Sequence, residues 1–243
     1  MKSIFYAAFF LSTLLLSCQE NLEPAIHPDP PPDVPEQTRI KTETYSSNVI
    51  TYIYDLLGRQ IMYSSSGGFK KETTYTENQI QQTNFNEDGI PTRVLSHTLN
   101  DRGLIIQTER SDAPGAYYTF EYNDDDQVVK TKSVNSSGMY ESISTYTNGN
   151  EETVVYTKDG ELQYTYKYFY YMDRLNGLDS EIVGEKFSGK GNKNLMKSWI
   201  GIGKNGVTFT SYSYTYTFDG KGRIATMNQI HNDQIETYTY TYY

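Results

Sequence analysis

Chemistry-bearing residues are scarce in this chain. One cysteine, Cys18, stands alone among 243 residues, which excludes an internal disulfide and any site built from several thiolates. The three histidines, His27, His97 and His231, lie far apart with no carboxylate or second histidine at ligand spacing, so no metal and no other cofactor is expected. No Gly-x-Ser-x-Gly element occurs, and the acids are scattered through polar turns instead of being paired in an apolar setting that would shift a pKa; an enzyme is therefore not expected. Positive charge is also in deficit, with 21 Lys and Arg against 30 Asp and Glu and a net charge of −9, so repulsion from phosphates argues against nucleic acid as a partner. Between residues 41 and 172 there is neither helical periodicity nor an apolar run of helix length, and parallel βαβ units are excluded.

What the chain has instead is tyrosine, 24 of them, in a short recurring unit. The unit is clearest at residues 52–61, Tyr-Ile-Tyr-Asp-Leu-Leu-Gly-Arg-Gln-Ile: an aromatic strand end, an Asp- and Gly-containing turn, then a new strand. Gly and Asn tolerate the positive φ that a tight reversal needs, so this pattern predicts β-hairpins. The punctuation recurs at Ser47-Asn48, Asp55 to Gly58, Ser66 to Gly68, Glu77-Asn78, Asn86 to Gly89, Asn100 to Gly103, Asp112 to Gly115, Asn123 to Asp126, Asn135 to Gly138, Asn148 to Asn150 and Lys158 to Gly160. It returns at Asp219 to Gly222 and Asn232-Asp233. Within strands the aromatics alternate: Tyr118, Phe120 and Tyr122 face one way, and Leu162, Tyr164, Tyr166, Tyr168 and Tyr170 form one stripe. The expected fold is all-β, an antiparallel meander of many short hairpins forming a strongly curved sheet or a closed barrel-like structure. Its aromatic stripes are read as core in preference to exposed sugar platforms. The acids of Asn123-Asp-Asp-Asp126 lack the glycine and distal Glu of a calcium loop and are read as a hairpin turn.

The N-terminus carries Lys2 and an apolar run from Ile4 to Leu16, too short for a mature membrane span but suited to a signal peptide over residues 1–17. It ends Leu15-Leu16-Ser17-Cys18, which resembles the lipobox of bacterial lipoproteins. That resemblance implies cleavage before Cys18, acylation of Cys18, and membrane attachment through several acyl chains, since a single chain binds only marginally. Gln19 after the cysteine implies the outer membrane in that family, and Glu20 and Glu23 resemble an acidic signal for display on the cell surface. Six of the eight prolines fall between Pro24 and Pro35, so residues 18–38 read as the acylated cysteine and an extended tether to a single domain over residues 39–243.

Three segments carry a second resemblance. Tyr54-Asp55-Leu-Leu-Gly58-Arg59, Tyr122-Asn123 followed by Val128-Val129, and Phe218-Asp219-Gly-Lys-Gly222-Arg223-Ile224 look like YD repeats of the RHS type. The domain resembles small bacterial lipoproteins of unknown function built from YD-like hairpins and described as porin-like. The resemblance implies a curved or closed meander and no catalytic residues.

The repeat lapses over about 173–206, an insertion rich in Gly and Lys. Lys186, Lys190, Lys193, Lys197 and Lys204 form a basic island around the only tryptophan, Trp199. Trp199, Lys190, Lys193 and Lys197 are the candidate ligand contacts; the favoured structural reading is that Leu195, Met196, Trp199 and Ile200 form one helical turn capping a barrel end or sheet edge. The expected function is a lipid-anchored envelope protein that binds a glycan, a peptide or an envelope partner without catalysis. The alternatives are an integral outer-membrane barrel, for which the terminal Tyr238-Thr-Tyr-Thr-Tyr-Tyr243 alternation speaks, and a purely structural or assembly lipoprotein.

Overall fold

Tyrosine, threonine and β-branched residues alternating between Asp, Asn and Gly turns give strands almost throughout. The computed structural model describes residues 39–243 apart from residue 181. Cys18 and the tether lie outside the described residues. Sixteen strands follow one another: β1 (Ile40–Tyr45), β2 (Asn48–Tyr54), β3 (Gln60–Ser65), β4 (Lys70–Tyr75), β5 (Gln79–Phe85), β6 (Pro91–Leu99), β7 (Ile105–Arg110) and β8 (Tyr117–Tyr122) in the first half. The second half holds β9 (Val128–Asn135), β10 (Gly138–Thr147), β11 (Asn150–Lys158), β12 (Glu161–Leu175), β13 (Asn194–Gly203), β14 (Thr208–Phe218), β15 (Ile224–His231) and β16 (Gln234–Tyr242). Each pairs antiparallel with its sequence neighbours, and β1 pairs with β16, closing a barrel. The turn positions expected from the sequence are the turns observed.

The β12–β13 connection differs from the expected insertion. Residues 194–203 are strand β13, paired on both sides, so the interruption narrows to 176–193. Leu195, Met196, Trp199 and Ile200 therefore form no helical turn; their spacing of three to four is an accident of a strand with a register shift opposite Phe169 and Tyr170. The capping role falls to residues 176–193, which hold a 3-10 turn at Lys186–Ser188. This plug crosses one end of the barrel. Its Gly184 carbonyl accepts the Gln60 N–H at 3.1 Å, Glu185 pairs with Lys71 at 2.7 Å, and Lys190 N–H donates to the Asp126 carbonyl at 2.8 Å. Lys193 N–H then donates to Gly149 at 3.0 Å, and Asn150 and Asn194 bond each other through side chain and backbone.

Two apolar clusters hold the plug. Ile182 packs with Ile40, Tyr52, Leu195, Ile224 and Tyr240, and Phe187 packs with Ile80 and Ile105. Connections at the opposite end are all short turns among the described residues. Sixteen strands enclose more space than their inward side chains fill. Most inward tyrosines are accordingly only partly buried.

Candidate functional site: a tyrosine-lined interior closed at one end

An Asp or Asn turn of one geometry closes four of the hairpins at the plugged end. Asp55 Oδ1 accepts the N–H groups of Leu57 and Arg59, Asn100 those of Arg102 and Leu104, Asn123 those of Asp125 and Gln127, and Asp219 those of Lys221 and Arg223. The fourth turn residue adopts positive φ, +73° at Gly58 and +78° at Gly222, which glycine does without strain. Asp126 takes the same place at +63°, a conformation Asp tolerates better than most residues. Where Arg follows the glycine it returns to the turn acid, Arg59 to Asp55 and Arg223 to Asp219, each at 2.7 Å. These hydrogen bonds and charges hold the carboxyls of Asp55 and Asp219 below the usual range, against a burial effect that pushes the other way.

The tyrosine of the unit acts as a latch. Tyr54, Tyr75, Tyr122, Tyr146, Tyr170, Tyr216 and Tyr242 each donate the phenol hydroxyl to a backbone carbonyl at the start of the preceding strand, at 2.7–2.9 Å. The acceptors are Ile40, Gln60, Ile105, Val128, Glu151, Met196 and Ile224. Burial pushes these phenols up, to about 12 at Tyr122 and Tyr242, so all remain neutral donors.

Further in, the wall from β11 to β15 is aromatic. Trp199 stacks on Tyr212 with centroids 4.6 Å apart, and Tyr212 stacks on His231 at 4.1 Å. Tyr166 meets Trp199 edge-on at 5.0 Å, and Trp199 Nε1 donates to the Tyr214 hydroxyl at 3.0 Å. His231 Nδ1 donates to the Ser211 carbonyl at 2.8 Å and Nε2 lies 3.0 Å from the Asn232 amide nitrogen, contacts that hold the ring in its stack. Acceptors lie on the same interior: Glu43 receives Tyr52 and Glu236 receives Tyr45, both at 2.8 Å. Burial raises the pKa of Glu151. Ring faces, phenol hydroxyls and carboxylates at a partly open wall can hold a polar ligand with hydrophobic faces.

The expected ligand cluster is dispersed. Trp199 lines the interior, whereas Lys190 and Lys193 belong to the plug and are held there by backbone bonds. Lys197 is exposed, with Nζ 5.9 Å from the Tyr171 ring centroid. The sequence reading missed Tyr212 and His231 as neighbours of Trp199. The alternation of Tyr212, Tyr214 and Tyr216 was the available signal, but it gave a face and not the strand beside it. His97 is buried between Gln82 and Thr108, and among the described residues no group of three or more His, Cys, Asp and Glu is gathered in one place.

A model of a domain of unknown function with porin-like fold, DUF4595, matches residues 53–226. The chain belongs to this family. Curated protein sequences give no match. Among solved structures, this DUF4595 chain is similar to a porin-like protein from Bacteroides uniformis ATCC 8492, at 19% identity and a TM-score of 0.59, covering 85% of this chain and 95% of that one. At that identity the likeness is one of fold. The TcdB2–TccC3 crystal structure matches at 12% identity and a TM-score of 0.36, over 80% of this chain and 12% of that one, too low to bear on the fold.

Proposed function

We propose that this DUF4595 protein is a lipid-anchored outer-membrane protein whose barrel stands in water and binds a glycan or peptide, without catalysis, on its tyrosine-lined interior. One observation carries the reading: most of the strand tyrosines point inward, while the outward face is largely polar. A bilayer-spanning barrel needs an outward apolar band about 25 Å tall. Here the outward face carries threonine pairs, Thr42–Thr241 at 2.6 Å, Thr145–Thr153 at 2.7 Å and Thr217–Thr226 at 2.7 Å. It also carries ion pairs, Lys70–Glu72 and Lys130–Glu141, both at 2.9 Å. The terminal tyrosines that suggest a membrane strand, Tyr238, Tyr240 and Tyr242, face the interior, where they pack in the core around Ile40 and Tyr52. Attachment then falls to Cys18, with the Pro-rich tether as spacer, and the hairpin array is a short closed relative of YD repeats.

Two measurements test this. A Cys18→Ala form is expected in the soluble fraction and without heat-modifiable gel mobility; retention in membranes with heat-modifiable mobility refutes the water-standing barrel. Glycan and peptide arrays probed with wild type and Trp199→Ala are expected to show binding that the substitution removes. A folded protein that binds nothing on either array points to an assembly role instead.

A further inference from the structure

Two exposed leucines stand where the fold elsewhere puts polar residues or glycine. The turn that closes four hairpins at the plugged end has Asp101-Arg102, Asp124-Asp125 and Gly220-Lys221 at its two tip positions in three of them. In the fourth the tip is Leu56-Leu57, the first side chain fully exposed and the second 76% exposed. Water surrounds a turn tip, so polar residues and glycine are its ordinary occupants, and an adjacent apolar pair needs a reason. The same turn lies where the chain enters and leaves the barrel. With an even number of strands, β1 starts and β16 ends at the plugged end: Tyr243 N–H donates to the Arg39 carbonyl at 3.2 Å, and Arg39 Nε donates to the Gly58 carbonyl at 3.2 Å.

Around the leucines the surface is apolar in the middle and basic at the border. Leu56 and Leu57 line an open depression of about 480 Å³ together with Ile53, Tyr243 and Arg39. Tyr243 is largely exposed, and Lys41 Nζ lies 5.5 Å from its ring centroid. Asp55, the acid of this lining, is already paired with Arg59 at 2.7 Å. Arg39 is bonded to a carbonyl and Lys41 lies by a ring, so among the described residues neither cation is matched by an acid, in a chain whose net charge is −9. Apolar tips, an amphipathic ring and cations suit the boundary between headgroups and acyl chains, where leucines lose water, tyrosine keeps one wet end and cations meet anionic lipid. What precedes Arg39 in sequence selects the partner: residues 18–38 join Cys18 to Arg39, so a barrel anchored at Cys18 is tied to the lipid by this end.

We infer that the plugged end seats on the lipid surface, with Leu56 and Leu57 entering the headgroup boundary and Arg39 and Lys41 against anionic headgroups, while the open mouth faces away from the membrane. This rests on the reading of Cys18 as a lipid anchor. The plug then faces the membrane, and a ligand of the interior wall enters from the far side. The Trp199 wall takes no part in the contact, so the seat stands whether or not that wall binds a ligand.

The test uses the full-length protein carrying its anchor, in vesicles of equal parts phosphatidylethanolamine and phosphatidylglycerol with brominated acyl chains, which quench tryptophan at the boundary. Leu57→Trp is compared with Asp88→Trp, the same turn position in Asn86 to Gly89 at the open end, and Trp199 adds the same background to both. Leu57→Trp is expected to be quenched about threefold more, because strands of this length hold the two ends about 25 Å apart. A second reporter, Tyr243→Trp, is expected to lose most of its quenching when Leu56→Asp and Leu57→Asp are added, a tip the fold already accepts at Asp124-Asp125. Equal quenching at both ends, stronger quenching of Asp88→Trp, or Tyr243→Trp quenching untouched by the double change would overturn the seat. Disulfide-linked dimers through Leu57→Cys, with no quenching of Leu57→Trp, would assign the leucines to a second copy and overturn it as well. Flotation with the vesicles separates this result from the anchor. Wild type that floats only with Cys18 intact upholds the anchor whatever the quenching shows, whereas wild type that does not float, or Cys18→Ala that floats equally, overturns both.

Discussion

Acid is expected to loosen the barrel through one side chain, His97. The ring is 6% exposed and sits in a polar ladder across β5, β6 and β7. Nε2 faces Gln82 Oε1 at 3.3 Å and donates to it; Nδ1 lies 2.7 Å from Thr108 Oγ1 and accepts. This arrangement fits the neutral ring, and burial lowers the pKa to about 4, with Lys71 adding to the effect and Glu185 opposing it. Unfolded, the ring titrates near 6.5. Between those values the unfolded chain holds a proton that the folded one lacks, so stability falls as pH drops from 6.5 towards 4 and then levels off. Full linkage from that shift gives about 2 kcal/mol at pH 5, and the nearby solvent-screened Lys71 and Glu185 reduce it to about 1.5 kcal/mol. Urea unfolding of wild type and His97→Gln at pH 7.5 and pH 5 measures it, because groups common to both proteins cancel. Wild type is expected to lose about 1.5 kcal/mol more than the variant over that range. Equal losses, or an NMR titration of His97 with a midpoint above 6.5, would refute the reasoning.

Other perturbations address the latch, the turn and the plug. Tyr146→Phe removes the hydroxyl that meets Val128 at 2.9 Å and is expected to lower unfolding free energy by about 1 kcal/mol in denaturant titration. Asp219→Ala should cost about the same by the same assay, since it strips two backbone N–H groups and Arg223 of their acceptor, whereas Asp219→Asn should cost less, as Asn100 and Asn123 do this work natively. The depressed Asp219 pKa also means that wild type, and not Asp219→Asn, loses this turn's contribution as pH falls through and below the ordinary Asp range near 3.8. Phe187→Ala is expected to destabilise by about 3 kcal/mol in thermal or urea unfolding, the low end for a buried phenyl because the plug can settle. It should also speed hydrogen exchange at residues 176–193 ahead of the strands.

The hairpins were legible because their information is local. Asp55 or Asn123 states the turn, and the tyrosine just before it states the inward face, all within one repeat. Closure was left open between sheet and barrel, since pairing of Ile40–Tyr45 with Gln234–Tyr242 has no local signal. The plug was misplaced by some residues for a related reason. Its anchors, Ile182 and Phe187, are single apolar residues whose neighbours are remote in sequence, whereas Leu195 to Ile200 imitated a helical face while belonging to a strand. Trp199 was recognised as singular, but the stack with Tyr212 and His231 required the strand register, and the lysines near it in sequence are directed elsewhere by the plug.

The pairing of β1 with β16 sets how the chain must assemble. Every other interface joins consecutive strands, so fifteen of the sixteen can zip hairpin by hairpin with little loop entropy. Only the seam brings together residues such as Thr42 and Thr241, 199 positions apart. Relative to a ten-residue hairpin, closing a loop of that length costs about 2–3 kcal/mol more in chain entropy. The seam should therefore form late and open first, and it is the one place where two unpaired strand edges would be offered to another molecule. New termini cut into a turn such as Asn232-Asp233, with the old ends joined across the plugged end, would make β1 and β16 a local hairpin and move that vulnerable edge to a place of the experimenter's choosing.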